Sequence, residues 1–411
     1  MRIGLFTDTY HPDINGVSTS VYNLRKALKK LGHTVYIVTV NDSLVKHEYD
    51  EKEKILKIPG IPTGIYNFRL SEIYPISTVK KIKSWNLDVI HSHTEFGIGI
   101  FARLLAKKFK IPLVHTYHTL FEDYTHYITH NHFDKLSKKI VKDLTKIYCV
   151  KTAKETIVPT DKIYKLFKEK YMITKNINVI PSGIDIERFF EENVQKDKVK
   201  KIKEQYGITD KDFTIIFVGR IAPEKNIEFL LDAQQKLIEK NITNIKLLIV
   251  GDGPEKDNYI NISRKLNIFD KVIFTGKIPQ EEIQYYYQCA DAFVTASNTE
   301  TQGLTVVEAM AAGVVPICIN DMAFIDMVPK KSLFNNQNEY INKLITFSKD
   351  ENLRKEYKIE IRKKAEEYSA KAYAEKVLNV YNGVLDSGRK DNTFKSGNIK
   401  NEEEKMVEKF V

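Results

Sequence analysis

Short β-branched runs alternate with helical stretches along the whole 411-residue chain, and the alternation restarts part-way, which leaves few architectures open. In the first half, Ile3–Thr7 reads as a strand. Thr19–Leu31 follows as a helix, with Val21, Leu24, Ala27, Leu28 and Leu31 on one face and Gly32 as its stop. Thr34–Val40, Asp88–His91, Ile111–His115, Thr156–Pro159 and Asn178–Pro181 read as further strands. From Thr214 the pattern begins again: strands Thr214–Gly219, Lys246–Gly251, Val272–Thr275, Ala292–Thr295 and Val315–Ile319 alternate with helices Asn226–Glu239, Glu255–Leu266 and Glu281–Gln288. Strands separated by helices form βαβ units and parallel sheets. The reading is an α/β chain of two doubly wound, Rossmann-like domains, 1–182 and 183–385. A polar tail, 386–411, is expected to be disordered or to form a short helix near Glu402–Phe410. Ligands of such sheets bind at the carboxyl ends of the strands, so a cleft between the two domains is the expected active site.

Charge is unevenly divided. Residues 1–182 carry 29 Lys and Arg against 17 Asp and Glu, a net of +12, whereas residues 183–411 carry 35 against 37. A basic half favours an anionic surface or substrate, and no nucleic-acid-binding motif accompanies it. The longest apolar runs are strand-sized, far short of a membrane span. The chain opens on a strand with no apolar leader, and Cys149, Cys289 and Cys318 stand apart in no metal or disulfide spacing. A cytoplasmic protein without a structural metal is expected.

The most specific motif is Phe217-Val-Gly-Arg220-Ile-Ala-Pro-Glu-Lys225-Asn226. Two cations at a strand's carboxyl end, beside a helix start, suit a diphosphate, and they can stabilise charge on a departing nucleoside diphosphate. A second motif, Glu300-Thr-Gln-Gly303-Leu304-Thr305-Val-Val-Glu308, places two carboxylates around a helix N-terminus, and its glycine permits close backbone approach.

With Gly251-Asp-Gly-Pro254, Gly276-Lys277-Ile278-Pro279 and Ile180-Pro-Ser-Gly-Ile-Asp185, these motifs resemble family 4 of the retaining glycosyltransferases, over residues 1 to about 385. That family has the two-Rossmann-domain GT-B fold. The resemblance implies that Arg220 and Lys225 hold the donor diphosphate and that Glu300 meets the sugar hydroxyls. It gives the ribose hydroxyls to Glu308, the base to the backbone around Lys277, Ile278 and Pro279, and further donor contacts to N–H groups at Gly303, Leu304 and Thr305. Pro12-Asp-Ile-Asn-Gly16 takes the place of the family's glycine loop, with one glycine where many relatives have two. The segment Met322–Leu333 lacks the relatives' Asn-Gly turn.

His115-Thr-Tyr-His118-Thr-Leu-Phe-Glu122-Asp-Tyr124-Thr-His126-Tyr127, with the prelude His91-Ser-His93-Thr-Glu95, is similar to the bacterial diacylglycerol glucosyltransferases of that family. His118 matches the sugar-contacting histidine, and His93, Glu122, Tyr124 and Tyr127 fall on the acceptor side. The resemblance implies a hexosyltransferase, with UDP-glucose as donor and diacylglycerol as acceptor. It implies a cytoplasmic enzyme, peripheral on the inner face of the cell membrane, that needs neither metal nor organic cofactor. Two basic amphipathic stretches, Lys135–Ile147 and Pro75–Trp85, are the candidates for contact with an anionic membrane; packing on a parallel sheet would give the same pattern. The remaining readings are a family 4 enzyme with a soluble or polysaccharide acceptor, a sugar-nucleotide epimerase, and a nucleotide-sugar-binding protein.

Overall fold

Long apolar runs become strands when a sheet is covered on both faces, and the most apolar runs of this chain sit at the middle of two parallel sheets. The computed structural model describes residues 1–13, 15–63, 69–118, 142–143 and 145–387. The chain divides into two compact units, one comprising Met1–Pro159, Ile163–Ile180 and the chain from Tyr373, the other Thr160–Lys162 and Pro181–Ala372.

In the first unit the strands are β1 (Arg2–Phe6), β2 (Thr34–Asn41), β3 (Glu48–Asp50), β4 (Ile55–Pro62), β5 (Arg69–Ser71), β6 (Val89–Ser92), β7 (Leu113–Thr116), β8 (Glu155–Val158) and β9 (Ile177–Val179). Their order is β3-β4-β2-β1-β6-β7-β8-β9, with β5 on β4; pairing is parallel except at β3–β4 and β4–β5. The order reverses between β1 and β6, where Ile3 lies opposite Val89. That reversal is the switch point at which such sheets bind ligands.

The second unit carries β10 (Phe213–Val218), β11 (Ile245–Val250), β12 (Val272–Gly276), β13 (Ala292–Thr295), β14 (Val315–Ile319) and β15 (Leu333–Phe334). All its pairs are parallel, in the order β12-β11-β10-β13-β14-β15, so its switch point lies between β10 and β13. Helix Ile227–Glu239 covers the sheet with Ile227, Leu230, Leu231 and Leu237, the spacing of one helical stripe.

Two expectations on the chain's end are corrected. Residues 373–385, read as the end of the second domain, cluster with the first unit instead. The helix of residues 370–387 buries Tyr373, Ala374, Val377, Tyr381 and Val384, and the Tyr381 hydroxyl meets His91 Nδ1 at 2.6 Å. In the stretch Pro75–Trp85, Trp85 follows the packing alternative. It is 6% exposed and stacks on Tyr36 at 4.6 Å and on Tyr49 at 5.8 Å, while Thr78 and Ile82 of helix Ile76–Ser84 are buried. Asp386 and Ser387, counted with the tail, end the last helix; residues 388–411 lie outside the described residues. Of the basic stretch Lys135–Ile147 only 142, 143 and 145–147 are described. Among the described residues no helix is long and apolar enough to cross a membrane.

Candidate active site

At the switch point of the second unit, the loop leaving β10 carries Arg220 and Lys225, and the loop leaving β13 carries Glu300. The β10 loop is short and tightly seated: Ile221 N–H donates to the Asp252 carbonyl at 2.9 Å, and Glu255 N–H to that of Ile221 at 3.2 Å. A single turn, Pro223–Lys225, ends at Asn226 in the left-handed region, after which helix Ile227–Glu239 begins. Asparagine tolerates that backbone better than most residues, so the sequence itself sets the kink that presents Lys225.

Both cations are paired with carboxylates. The Arg220 guanidinium meets Glu224, and Lys225 Nζ meets Glu300 Oε1. Burial pushes the Glu300 carboxyl up, but the charge and hydrogen bond of Lys225, helped by Ser297 and Lys162, outweigh it and leave it below the usual range. Glu300 is thus held ionised as a hydrogen-bond acceptor. Its loop is anchored at both ends, since Ser297 Oγ donates to the Glu224 carbonyl at 3.3 Å and the Gln302 amide makes two bonds with the Ser182 backbone, at 2.8 and 2.9 Å.

Gly303 then turns the chain into helix Leu304–Ala312 with φ +83°, and an added Cβ would stand 2.6 Å from the Phe324 ring. Glycine is required there by backbone conformation and by space. No side chain caps this helix, so the first-turn N–H groups at Leu304 and Thr305 offer the donors that suit an anion. One turn on, the buried Glu308 accepts from the Tyr287 hydroxyl at 2.8 Å. Burial raises its pKa against the opposing charge of Arg188 and the hydrogen bonds of Tyr287 and Gln280. Lys277, Ile278 and Pro279 follow β12 at the same edge, Lys277 and Pro279 exposed and Ile278 partly so. The residues that the sequence assigned to the donor in the second domain all lie on loops or a helix that follow the strands β10, β12 and β13 of this sheet. Sequence reasoning missed Glu224, Ser297 and Gln302, which steady the loops, and Tyr287 and Arg188, which surround Glu308. Arg188 lay in sight, three residues beyond the Ile180–Asp185 motif.

In the first unit the ends of β1, β6 and β7 form a buried cluster of histidines and acids. His93 Nδ1 and His118 Nε2 are 3.0 Å apart, so one ring donates to the other. His91 is fixed at both nitrogens, by Tyr381 at 2.6 Å and by the Thr116 hydroxyl at 2.7 Å. His115 Nδ1 donates to the Ser92 carbonyl at 3.0 Å, which leaves its Nε2 bare and 3.2 Å from Glu95 Oε1. Burial drives all four rings toward neutrality, His118 down to about 3. Burial likewise pushes Glu95 up to about 8, in spite of the Arg103 charge, and Asp8 up to about 6 in spite of hydrogen bonds from Thr94 and the Ile98 N–H. A neutral Glu95 whose O–H faces the bare His115 nitrogen satisfies both groups.

This assignment is testable. An acid held protonated in the fold costs stability as pH rises from its ordinary value near 4.5 to about 8, because the unfolded chain releases the proton first. Glu95→Gln keeps a donor toward His115 and does not titrate. It should melt within a few degrees of wild type at pH 6 and several degrees above it at pH 9. A variant less stable at pH 9 than wild type would mean that Glu95 is ionised in the fold.

Glu122, Tyr124 and Tyr127 lie outside the described residues. Gly16 opens helix Gly16–Lys30, with Asn15 accepting from the Ser18 N–H at 2.9 Å; an added Cβ at Gly16 would meet nothing within 4 Å, so protein packing does not demand glycine. Among the described residues no group of three or more His, Cys, Asp or Glu is arranged to hold a metal ion.

The family description "Glycosyltransferase Family 4" matches residues 14–188, and "Glycosyl transferases group 1" matches residues 198–364. Alpha-monoglucosyldiacylglycerol synthase of Acholeplasma laidlawii is 36% identical over 408 residues, covering 95% of this chain and 99% of that protein. This chain belongs to glycosyltransferase family 4. The synthase of the same name from Streptococcus pneumoniae is 35% identical over 335 residues, 81% of this chain and 74% of that one. Among solved structures, Anabaena HepE in complex with UDP-glucose superposes with a TM-score of 0.69 at 16% identity, covering 93% of this chain and all of that one. The family 4 chain has the GT-B fold, with two Rossmann-like domains.

Proposed function

We propose that this glycosyltransferase moves glucose from UDP-glucose onto the free hydroxyl of diacylglycerol, with retained α configuration. The observation that carries the reading is the grouping of Arg220, Lys225, Glu300 and Glu308 at one switch point, in a chain 36% identical along almost its whole length to a synthase named for that product. The donor diphosphate lies against Arg220, Lys225 and the N–H groups at Gly303–Thr305. Glu300 binds the sugar, Glu308 the ribose, and the backbone of 277–279 the base. As the bond between the anomeric carbon and the phosphate oxygen breaks, the acceptor oxygen bonds to that carbon from the same face. Its proton passes to the leaving phosphate, and nucleoside diphosphate departs. Arg220 and Lys225 stabilise the charge that grows on that phosphate, so no metal is needed. The +12 charge of residues 1–182 draws the enzyme to anionic lipid on the inner face of the membrane, where an acceptor with two acyl chains resides.

The direct test is product analysis with radiolabelled UDP-glucose and diacylglycerol in mixed micelles. An α-linked glucosyl lipid, formed at the same rate with excess EDTA, is expected. Transfer only to water-soluble acceptors would move the acceptor assignment, and loss of activity in EDTA, restored by magnesium, would overturn the charge assignment.

The two carboxylates separate by calorimetry with free UDP. Glu300→Gln should leave UDP affinity within about twofold, because UDP lacks the sugar that Glu300 meets. Glu308→Gln should weaken it by about tenfold or more, the scale of one charged hydrogen bond. Equal losses would contradict the division.

A further inference from the structure

The surroundings of Glu308 are more elaborate than ribose binding by one carboxylate requires. Three separate elements converge on it. Tyr287, the last residue of helix Ile283–Tyr287, donates its hydroxyl proton to Glu308 Oε2 at 2.8 Å. Its ring is fully buried and pinned edge-on against Phe189 at 5.6 Å and 80°, with Phe293 at 6.3 Å, so the hydroxyl has little freedom to swing away. Arg188, from the turn Ile186–Phe189, supplies opposing charge and donates to the Gln280 carbonyl at 2.6 Å. Gln280 in turn is a hydrogen-bond donor to Glu308 and directly follows the Lys277–Pro279 segment. The carboxylate and the base-side loop are therefore braced against each other through side chains that do not themselves belong to the family motifs.

We propose that Tyr287 is a positioning residue for nucleoside recognition: its hydroxyl holds the Glu308 carboxylate in the orientation that accepts the ribose hydroxyls, and Arg188 fixes the base-side loop to the same frame. The inference rests on the assignment of Glu308 to the ribose. The phenol has one proton and two acceptors in reach, Glu308 Oε2 at 2.8 Å and the Thr305 carbonyl at 3.1 Å. The shorter bond to a carboxylate is the stronger of the two, so the proton goes to Glu308. Removing it takes away one of the groups that hold the carboxylate ionised in a site where burial already favours the acid. The ionisable and charged groups facing Glu308 are Tyr287 and Arg188, with Gln280 as a neutral donor. Tyr287 keeps its own proton, because burial and then the Glu308 charge raise its pKa well above the usual phenol value. The terminal phosphate of a nucleoside diphosphate also titrates, at about pH 6, but equally for every variant, so a difference in pH profile between variants reports Glu308.

Tyr287→Phe preserves the ring and its packing and deletes only the hydroxyl. Calorimetry of the full chain should be run from pH 5 to 8.5, titrating whichever of UDP, GDP and ADP the wild type binds most tightly. Wild-type affinity should fall on the acid side as Glu308 takes up a proton, beginning above the usual carboxylate range because burial raises its pKa. Tyr287→Phe should weaken binding about tenfold at neutral pH and move that acid limb to higher pH. The donor KM should rise in parallel, with kcat at saturating donor within about twofold of wild type. A structural role alone would lower the melting temperature and leave the acid limb in place, and that result overturns the proposal, as does affinity within twofold of wild type. Glu308→Gln tests the underlying assignment separately, because it must weaken binding and leave only the part of the acid limb that the nucleotide's own phosphate gives. If it keeps wild-type affinity and profile, the ribose role of Glu308 fails, whatever Tyr287→Phe does.

Discussion

Lys225→Ala and Arg220→Ala are each expected to lower turnover by a factor of about 100 or more, the loss seen when one preorganised donor to a developing negative charge is removed. Both side chains leave the same loop at the end of β10, and the proposed reaction sets the leaving diphosphate against them. Each also has a carboxylate partner, and that complicates the simple substitution. The Glu224 side chain is almost fully buried, so Arg220→Ala removes the cation of a buried ion pair, which costs stability on its own account. The double variant Arg220→Ala/Glu224→Ala removes that penalty: it should regain most of the melting temperature and none of the turnover. For Lys225, loss of the ammonium frees Glu300 from the charge that keeps it ionised, so sugar positioning suffers as well. Activity restored in the double variant would mean that Arg220 acts by holding the loop together. Near-normal turnover in Lys225→Ala would remove Lys225 from the leaving-group site.

How much of this could be read from the chain follows from how local each feature is. The alternation of apolar runs and helices gave both sheets, and the Arg220–Lys225 and Glu300–Glu308 motifs lie where strand order reverses, between β10 and β13. Strands β3, β4 and β5 went unread, because Pro59, Gly60 and Pro62 break the run that β2 nevertheless pairs with from Ile55 to Pro59. The pattern of Pro75–Trp85 suited a membrane surface and a sheet face alike, and it could not show that Trp85 stacks on Tyr36 and Tyr49, from strands decades of residues earlier. The last helix has an apolar stripe that says it packs on something, and nothing in the period says on which sheet. Its destination is set by Tyr381, whose hydroxyl bonds to a histidine 290 residues away. Carboxylate partners are hidden for the same reason: Glu300 and Lys225 are 75 residues apart, and Glu308 and Tyr287 are 21 apart on different helices. Motif residues are legible because a ligand fixes their chemistry. The residues that steady them are fixed by the shape of the fold, which a linear pattern does not carry.

Two glycine-to-alanine changes should move stability in opposite directions, and the first should carry the donor site with it. Gly251 directly follows β11 with φ +147°, and an added Cβ would overlap the carbonyl oxygen of Gly219, the residue immediately before Arg220. Here the obstacle is backbone, which cannot rotate aside as a long side chain can. Gly251 N–H is committed to the Gly276 carbonyl at 3.1 Å, and Gly219 N–H to that of Val250 at 3.0 Å, so neither strand end can retreat without breaking a ladder bond. Strain at a backbone conformation that L-residues rarely adopt adds a further penalty of about 1–3 kcal/mol. Gly251→Ala is therefore expected to cost about 3 kcal/mol or more, which for a domain of this size lowers the melting temperature by about 6–12 °C. The peptide that must move also carries Arg220, so UDP affinity should fall about tenfold or more even at temperatures where the variant is folded. Gly383 is the contrast. It lies on the exposed face of the helix 370–387, and an added Cβ would meet nothing within 4 Å. Alanine there removes backbone freedom from the unfolded chain, and should stabilise by about 0.5–1 kcal/mol with no change in UDP binding. Thermal denaturation and UDP calorimetry on the two variants read both effects. If Gly251→Ala melts with wild type and binds UDP as tightly, the ends of β10 and β11 are not in the close contact on which the placement of Arg220 depends.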